Sequence, residues 1–273
     1  MRLFATVLLC ALLWFSAGCG DRETPENIGG AVDAGDTEET GNAKGADASE
    51  DVEKWEGEEP PKAALPQMEL LEFEDGDSEN LADLLQTNGR GMMVQLQAGN
   101  LLGSGVICGT EEDRLLILTA AHVLEEAESF VIVTFADGGS VYAGDFECFA
   151  SGDFGAVRVQ LEDISEESLE QCLCANIDKE SFDGATAGQG CIVMGSRTGV
   201  AAEAYEGVIL DHWIYMEDYG QYMMWVKAEG LPGMSGGGLF DRQGHFLGIL
   251  SGGNEEGELA VVPLSLILAE LEV

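Results

Sequence analysis

Beyond residue 80 the chain is a succession of short apolar or alternating runs. They fall at 91–97, 105–108, 115–118, 131–135, 156–159, 191–194, 223–226, 246–250 and 259–262. Turn signals such as Asp137-Gly138-Gly139, Ser151-Gly152 and Arg242-Gln243-Gly244 separate them. Runs of this length, rich in aliphatic residues and bounded by Gly and Asp, read as β-strands. Many of them at close spacing predict an all-β barrel or sandwich. A helix is predicted at 264–271. The stretch 165–174 is compatible with a helix but reads better as a charged loop over a sheet edge. No internal repeat is visible.

The first 80 residues follow different rules. Arg2 precedes an apolar run, 3–15, too short to span a bilayer and ending in small residues. That is the grammar of a secretory signal peptide. The end, Ser16-Ala17-Gly18-Cys19, resembles the lipobox of bacterial lipoproteins, with Ser16 where a Leu is usual. The resemblance implies acylation of Cys19 and removal of the residues before it; the bare alternative is an ordinary signal peptide. Residues 21–66 are rich in Gly, Ala, Asp, Glu and Thr and lack any apolar period. Such a segment cannot bury enough surface to offset its ordering entropy. Trp55 is its one aromatic residue, incidental or a weak docking point. The organisation expected is a signal peptide over 1–19, an acidic linker over 20–80 and a folded domain over 81–273.

Charge narrows the partners. The chain carries 51 Asp and Glu against 12 Lys and Arg, a net charge of −39. A polyanion disfavours nucleic acid and anionic lipid headgroups alike. Membrane attachment is therefore expected through the lipid on Cys19, placing the domain in the cell envelope, at the outer face of the membrane or in the periplasm. The 45% hydrophobic content still suffices for a core.

Three stretches carry chemistry. Thr119-Ala120-Ala121-His122 ends a strand in small residues and presents a His. Gly152-Asp153-Phe154 is an acidic turn entering the strand 156–159. Gly233-Met234-Ser235-Gly236-Gly237 sets a Ser among glycines before another strand. Acyl transfer by serine needs a base beside the hydroxyl, an acid behind the base and donors for the oxyanion. Glycines let the amides of Gly233 and Ser235 converge on one point. Asp145, in Gly144-Asp145-Phe146, competes with Asp153 but no apolar strand follows it directly. A plain core or surface role is the default for His212 and His245.

The order His, Asp, Ser, with gaps of 31 and 82 residues, resembles the chymotrypsin-fold serine proteases, nearest their bacterial HtrA-like branch. Gly103-Ser104-Gly105, 194–199 and 248–253 share that likeness, which covers about 90–273. It implies two six-stranded antiparallel β-barrels and a serine endopeptidase that needs no cofactor or metal. His122 would be the general base, Asp153 its orienter and Ser235 the nucleophile. Gly233 and Ser235 would form the oxyanion hole. Ser251, Gly252 and Gly253 would pair with an extended, unfolded peptide and wall its first specificity pocket. Glu229, six residues before the serine, would floor that pocket and favour Lys or Arg, as would the negative field.

The chain also departs from its relatives. Met234 stands where the digestive enzymes place an Asp that binds a new N-terminus, so activation by that route is not expected. No PDZ module follows Val273, so neither PDZ-driven activation nor cage-like oligomers are expected. Cys108, Cys148, Cys172, Cys174 and Cys191 would remain after processing at Cys19, an odd number with no zinc-binding pattern. Two other classes fit the same residues: a catalytically inactive module that binds peptides along 251–253, and an envelope structural protein that has kept the barrel.

Overall fold

A computed structural model describes residues 65–72, 80–199 and 201–271. The expected signal peptide, Cys19, Trp55 and most of the expected acidic linker lie outside the described residues. Residues 65–72, at the end of that linker, pack against the folded domain. Met68 N–H donates to the Cys174 carbonyl at 2.9 Å, Leu71 N–H to the Gln243 carbonyl at 2.8 Å, and both side chains are buried.

Helix α1 (Leu81–Gly89) opens the domain, with Asn80 capping the Asp83 amide and Leu81 and Leu85 buried one turn apart. A 3-10 turn leads into β1 (Met93–Ala98), β2 (Leu101–Glu111) and β3 (Arg114–Thr119). The single-turn α2 (Ala121–Leu124) follows, then β4 (Val131–Thr134), β5 (Ser140–Ala143), β6 (Asp145–Cys148) and β7 (Gly155–Gln160). Their order in the first sheet is β5-β4-β1-β2-β3-β7-β6. The sheet nearly closes, because β5 pairs with β4 while β6, one residue further along the chain, pairs with β7. One bent strand interrupted at Gly144 thus serves both edges, which is how seven segments build a six-position barrel.

Between the barrels run α3 (Glu166–Gln171), β8 (Asn176–Ile177) and α4 (Lys179–Asp183). Helix α3 corrects the reading of 165–174 as a loop. Ser165 accepts from the Ser168 amide, and Glu166 and Glu167 sit in the first turn where the helix dipole favours them. The second sheet comprises β9 (Gly190–Gly195), β10 (Glu203–Met216), β11 (Gln221–Ala228), β12 (Gly238–Asp241), β13 (His245–Gly253) and β14 (Glu258–Pro263). Its order is β12-β9-β10-β11-β14-β13, and a β12–β13 pairing closes the ring, with β8 added in parallel on β13. Helix α5 (Leu264–Leu271) ends the domain where the sequence predicts it. The fold is the expected all-β pair of antiparallel barrels. Val106, Ile107, Ile117, Leu118 and Val157 fill the first, and Val193, Val226, Leu239, Ile249 and Val261 the second.

Candidate active site

His122 owes its position to the end of β3. Ala120 keeps an extended backbone, after which α2 buries Val123 and Leu124 and leaves His122 half exposed. Asp153 lies in the β6–β7 connection, fixed by Phe154, which is buried and stacked on Phe149 with ring centroids 4.8 Å apart. The two residues are joined twice. His122 N–H donates to Asp153 Oδ1 at 2.9 Å, and His122 Nδ1 lies 2.8 Å from Asp153 Oδ2. A carboxylate at Nδ1 selects the tautomer with its proton on Nδ1 and leaves Nε2 free to accept.

The electrostatics follow. Burial opposes charge on His122, yet the Asp153 hydrogen bond and charge, with Glu125 behind them, hold its pKa above the ordinary histidine value. Burial pushes Asp153 upward, but donation from His122 and Ser251 outweighs it, and the carboxyl stays below its usual range.

The serine sits in the 231–237 loop of the second barrel. Gly233 and Gly236 have φ of +93° and +83°, left-handed values that only glycine adopts at little cost. Met234, between Gly233 and Ser235, is buried and anchors the loop through apolar packing. The carbonyls around the serine are held from outside the loop. Arg197 Nε donates to Pro232 O at 2.6 Å, Ser104 Oγ to Gly233 O at 2.8 Å, and Ser104 N–H to Ser235 O at 2.7 Å. Among the described residues the amides of Gly233 and Ser235 have no acceptor, which leaves two donors for an anion.

Ser251 connects the two halves. Its Oγ donates to Asp153 Oδ2, and its carbonyl accepts from Ser235 Oγ at 3.3 Å. His122, Asp153, Ser251 and Ser235 are therefore one contiguous group, although the Ser235 hydroxyl is turned to Ser251 and not to the imidazole. Residues 251–253 extend β13 past the end of β12, with β14 on one side only; Gly253 is exposed and Gly252 half-buried. That is an open edge on which an extended peptide can pair.

Glu229 is placed elsewhere than the sequence suggests. It is exposed on the connection after β11. The space between Gly230 and Gly253 is instead filled by Leu259: a Cβ on either glycine would lie 2.6 Å from Leu259 Cδ2. An apolar side chain thus stands where an acidic pocket floor was expected. Asp145 pairs with Arg114 at 2.6 Å. His245 and Asp241 form a second histidine–carboxylate pair, 2.8 Å apart, at the far end of β13. Asp241 Oδ1 also accepts three backbone amides there, so that pair staples a turn. The five cysteines 108, 148, 172, 174 and 191 are free thiols.

Sequence reasoning missed three residues at this site: Arg197, Ser104 as a clamp, and Tyr219, whose hydroxyl lies 2.6 Å from where a Cβ on Gly252 would stand. The Gly-Ser-Gly around Ser104 and the 194–199 turn were visible signals; nothing marked Tyr219.

No curated protein matches this chain. Among solved structures it is similar to the Rv3671c protease of M. tuberculosis, in a serine-to-alanine variant described as an inactive form. There the TM-score is 0.56 and the identity 19%, over 74% of this chain and 95% of that one. It is also similar to the HtrA-type protease AlgW with a tripeptide, at a TM-score of 0.55 and 23% identity, over 67% of this chain and 60% of that one. At such identities the likeness speaks for the two-barrel fold alone. The sequence model of the trypsin-like peptidase domain matches residues 103–249, which run from the strand bearing Ser104 to the strand bearing Ser251. Since that match takes in more than half of the chain, together with His122, Asp153 and Ser235, this chain belongs to the trypsin-like peptidase family.

Proposed function

We propose that this serine-type peptidase is an endopeptidase working through an acyl-enzyme, with Ser235 as nucleophile, His122 as general base and Asp153 as its orienting acid. The observation that carries the reading is the double hydrogen bond between His122 and Asp153, linked through Ser251 to the Ser235 hydroxyl.

The chemistry follows from the groups present. A peptide strand pairs along 251–253 and brings its scissile carbonyl over Ser235. The Ser235 hydroxyl turns from the Ser251 carbonyl to Nε2 of His122, which takes its proton as Oγ bonds to the carbonyl carbon. Charge moves to the carbonyl oxygen, where the amides of Gly233 and Ser235 receive it. Collapse breaks the C–N bond, and His122 gives its proton to the leaving amine. Water then attacks the ester, His122 takes a proton from it, and release of the acid returns that proton to Ser235. Asp153 stays ionised throughout and stabilises the imidazolium.

Leu259 makes the first pocket short and apolar, which favours small or aliphatic side chains before the cut over the Lys or Arg that a Glu229 floor would select. The strong negative charge still favours substrates with cationic flanks by steering. Export and lipid attachment at Cys19 belong to this reading, supported by the N-terminal sequence pattern. Loss of detergent-phase partitioning in Cys19→Ala would bear that out, and unchanged partitioning would remove it.

The decisive experiment is fluorophosphonate labelling of the full chain, with Ser235→Ala and His122→Ala as controls. Labelling that requires both residues supports the enzyme. Its absence in a folded sample leaves the binding-only reading, in which Ser235 keeps the Ser251 carbonyl as its acceptor.

A further inference from the structure

The β10–β11 hairpin is built unlike the rest of the second barrel. Its outer face carries Trp213, Tyr215 and Tyr222, which are 38%, 53% and 45% exposed. Tyr215 and Tyr222 are direct partners across the two strands. The Trp213 and Tyr222 rings stack with centroids 5.2 Å apart at 13°, and Tyr215 meets Tyr222 edge-on at 5.5 Å. Strand β10 takes three steps from Asp211 to Ile214 where β11 takes two from Trp225 to Met223. Asp211 Oδ1 accepts the Trp213 amide at 3.0 Å within that irregularity and fixes the residue there. Rings left this open contribute little to their own core and mark a face for contact.

Charge chooses the partner. Residues 209–224, the outer half of the hairpin, include Asp211, Glu217 and Asp218 and no Lys or Arg. Glu217 and Asp218 lie exposed in the turn between Tyr215 and Tyr222. Aromatic faces are themselves negative and attract cations. A second copy of this chain would bring −39 against −39, so self-association is disfavoured. A neutral ligand would stack on the rings but leave the carboxylates unused. A Lys or Arg side chain uses both.

The tip of the same hairpin lies against the catalytic edge. A Cβ on Gly252 would lie 2.6 Å from the Tyr219 hydroxyl, and a Cβ on Gly152 would lie 2.5 Å from Gln221 Oε1. Gly252 is the middle of the open edge 251–253, and Gly152 precedes Asp153. A peptide running antiparallel to that edge sets the residue before the cut at Ser251 and the third residue before it at Gly253. The chain further upstream leaves the edge beside the hairpin. At about 3.3 Å per extended residue, a few more residues bring it to the rings.

On the reading given above, we propose that Trp213, Tyr215 and Tyr222 form a binding site for Lys or Arg side chains in the upstream flank of a substrate peptide, beyond the residues that pair with 251–253. The rings receive the cation over their faces, and Glu217 and Asp218 supply the opposite charge. This is recognition by contact and differs from long-range steering. The field depends on total charge, which replacing an aromatic residue by Ala leaves at −39.

The test uses the full chain carrying Ser235→Ala, which leaves bound peptide intact, and dye-labelled peptides followed by fluorescence anisotropy. All share an Ala-Val-Ala core before the cut. One carries four lysines upstream of it, one carries four serines there, and one carries four lysines downstream. The upstream lysine peptide should bind more tightly than the serine peptide. Trp213→Ala and Tyr222→Ala should each cut its affinity by about 3- to 10-fold, while Tyr222→Phe keeps the ring and retains it. Tyr142→Ala, which breaks the exposed Phe130–Tyr142 ring pair on the first barrel, should change nothing. An advantage that survives both Trp213→Ala and Tyr222→Ala is the field alone and overturns the proposal. So does an equal gain from downstream lysines, and so does the absence of binding by any peptide. Fluorophosphonate labelling of the chain with Ser235 intact keeps the two readings apart. Ring-dependent binding without labelling sinks the endopeptidase reading and leaves this site standing; labelling without ring-dependent binding does the reverse.

Discussion

Arg197 Nε donates to the carbonyl oxygen of Pro232 at 2.6 Å, and this bond fixes the orientation of the peptide plane that ends in the Gly233 amide. Were that carbonyl to turn inward, it would fill the oxyanion position with an acceptor and turn the Gly233 donor away. The guanidinium is held in place by Glu203 at 2.9 Å, and its backbone carbonyl accepts from Gln95 Nε2.

Substituting Arg197 by Ala therefore reports on the loop more than on a salt bridge, since a half-exposed ion pair contributes little by itself. The expected outcome is a fall in kcat of about 10- to 100-fold with KM nearly unchanged, because the amide lost acts only in the transition state. Arg197→Lys keeps the charge but lacks the Nε donor and should behave much as Ala does. Steady-state kinetics on an ester substrate would check this; a KM effect alone would show that Arg197 binds substrate and does not shape the hole.

The pH profile has a definite sign. Turnover needs Asp153 ionised and His122 neutral. Asp153 is held below the carboxylate range and His122 above the ordinary histidine value, so the rate should rise with pH through one ionisation lying above that value. Stability runs the other way for the imidazole. A raised folded pKa gives stabilisation that is complete below the unfolded histidine value and is lost as pH climbs through the folded one. The Asp153 contribution is present above the unfolded carboxylate value and is lost as pH falls through the lowered one. Replacing Asp153 by Asn should remove both effects and slow acylation by about 10⁴-fold. Stopped-flow labelling across pH, alongside thermal melts, tests all three expectations.

How far the sequence foretold this structure depends on which physical signal each part leaves. Strands such as β3 and β14 are apolar on nearly every residue, and their runs are plain. Strands β5 and β6 are four residues each and only Ala143 in them is buried, so their alternation is too short to read. In β10 the register shifts near Asp211 break the period of two. Helix α1 left only Leu81, Leu84 and Leu85 at helical spacing before a polar end. His122, Asp153 and Ser235 stood out because each sits in a local motif. Arg197 bonds a partner 35 positions away and Tyr219 reaches Gly252, 33 positions away, distances over which no local pattern reports. Glu229 was misplaced because counting back from a serine fixes chain position, not the direction in which a side chain leaves the barrel.

Specificity gives the third expectation. With Leu259 lying between Gly230 and Gly253, cleavage of a diverse peptide library should favour small and aliphatic residues before the cut. Leu259→Ala should open the pocket and bring in Met or Phe by about 10-fold or more, since each added methylene is worth about 1–3 kcal/mol of discrimination. Glu229→Gln should leave the profile nearly unchanged, because an exposed carboxylate is screened by water and salt. A strong preference for Lys or Arg that vanishes in Glu229→Gln would reverse the assignment.

The loop beneath the nucleophile supplies the last test. Met234 is buried at 1% exposure, packs against Gly195, and takes the Leu231 amide at its sulfur at 3.4 Å. The digestive relatives place a carboxylate here, which is stable only when a cation meets it. Arg197, the cation on this loop, is already engaged by the Pro232 carbonyl and Glu203. Met234→Asp should therefore bury an unpaired charge and cost about 3–5 kcal/mol. Met234→Leu conserves volume and polarity and should cost less than about 1.5 kcal/mol. Chemical denaturation separates the two. If Met234→Asp proves as stable as Met234→Leu, a cation must reach the loop, and anchoring of Ser235 by apolar packing alone would be refuted.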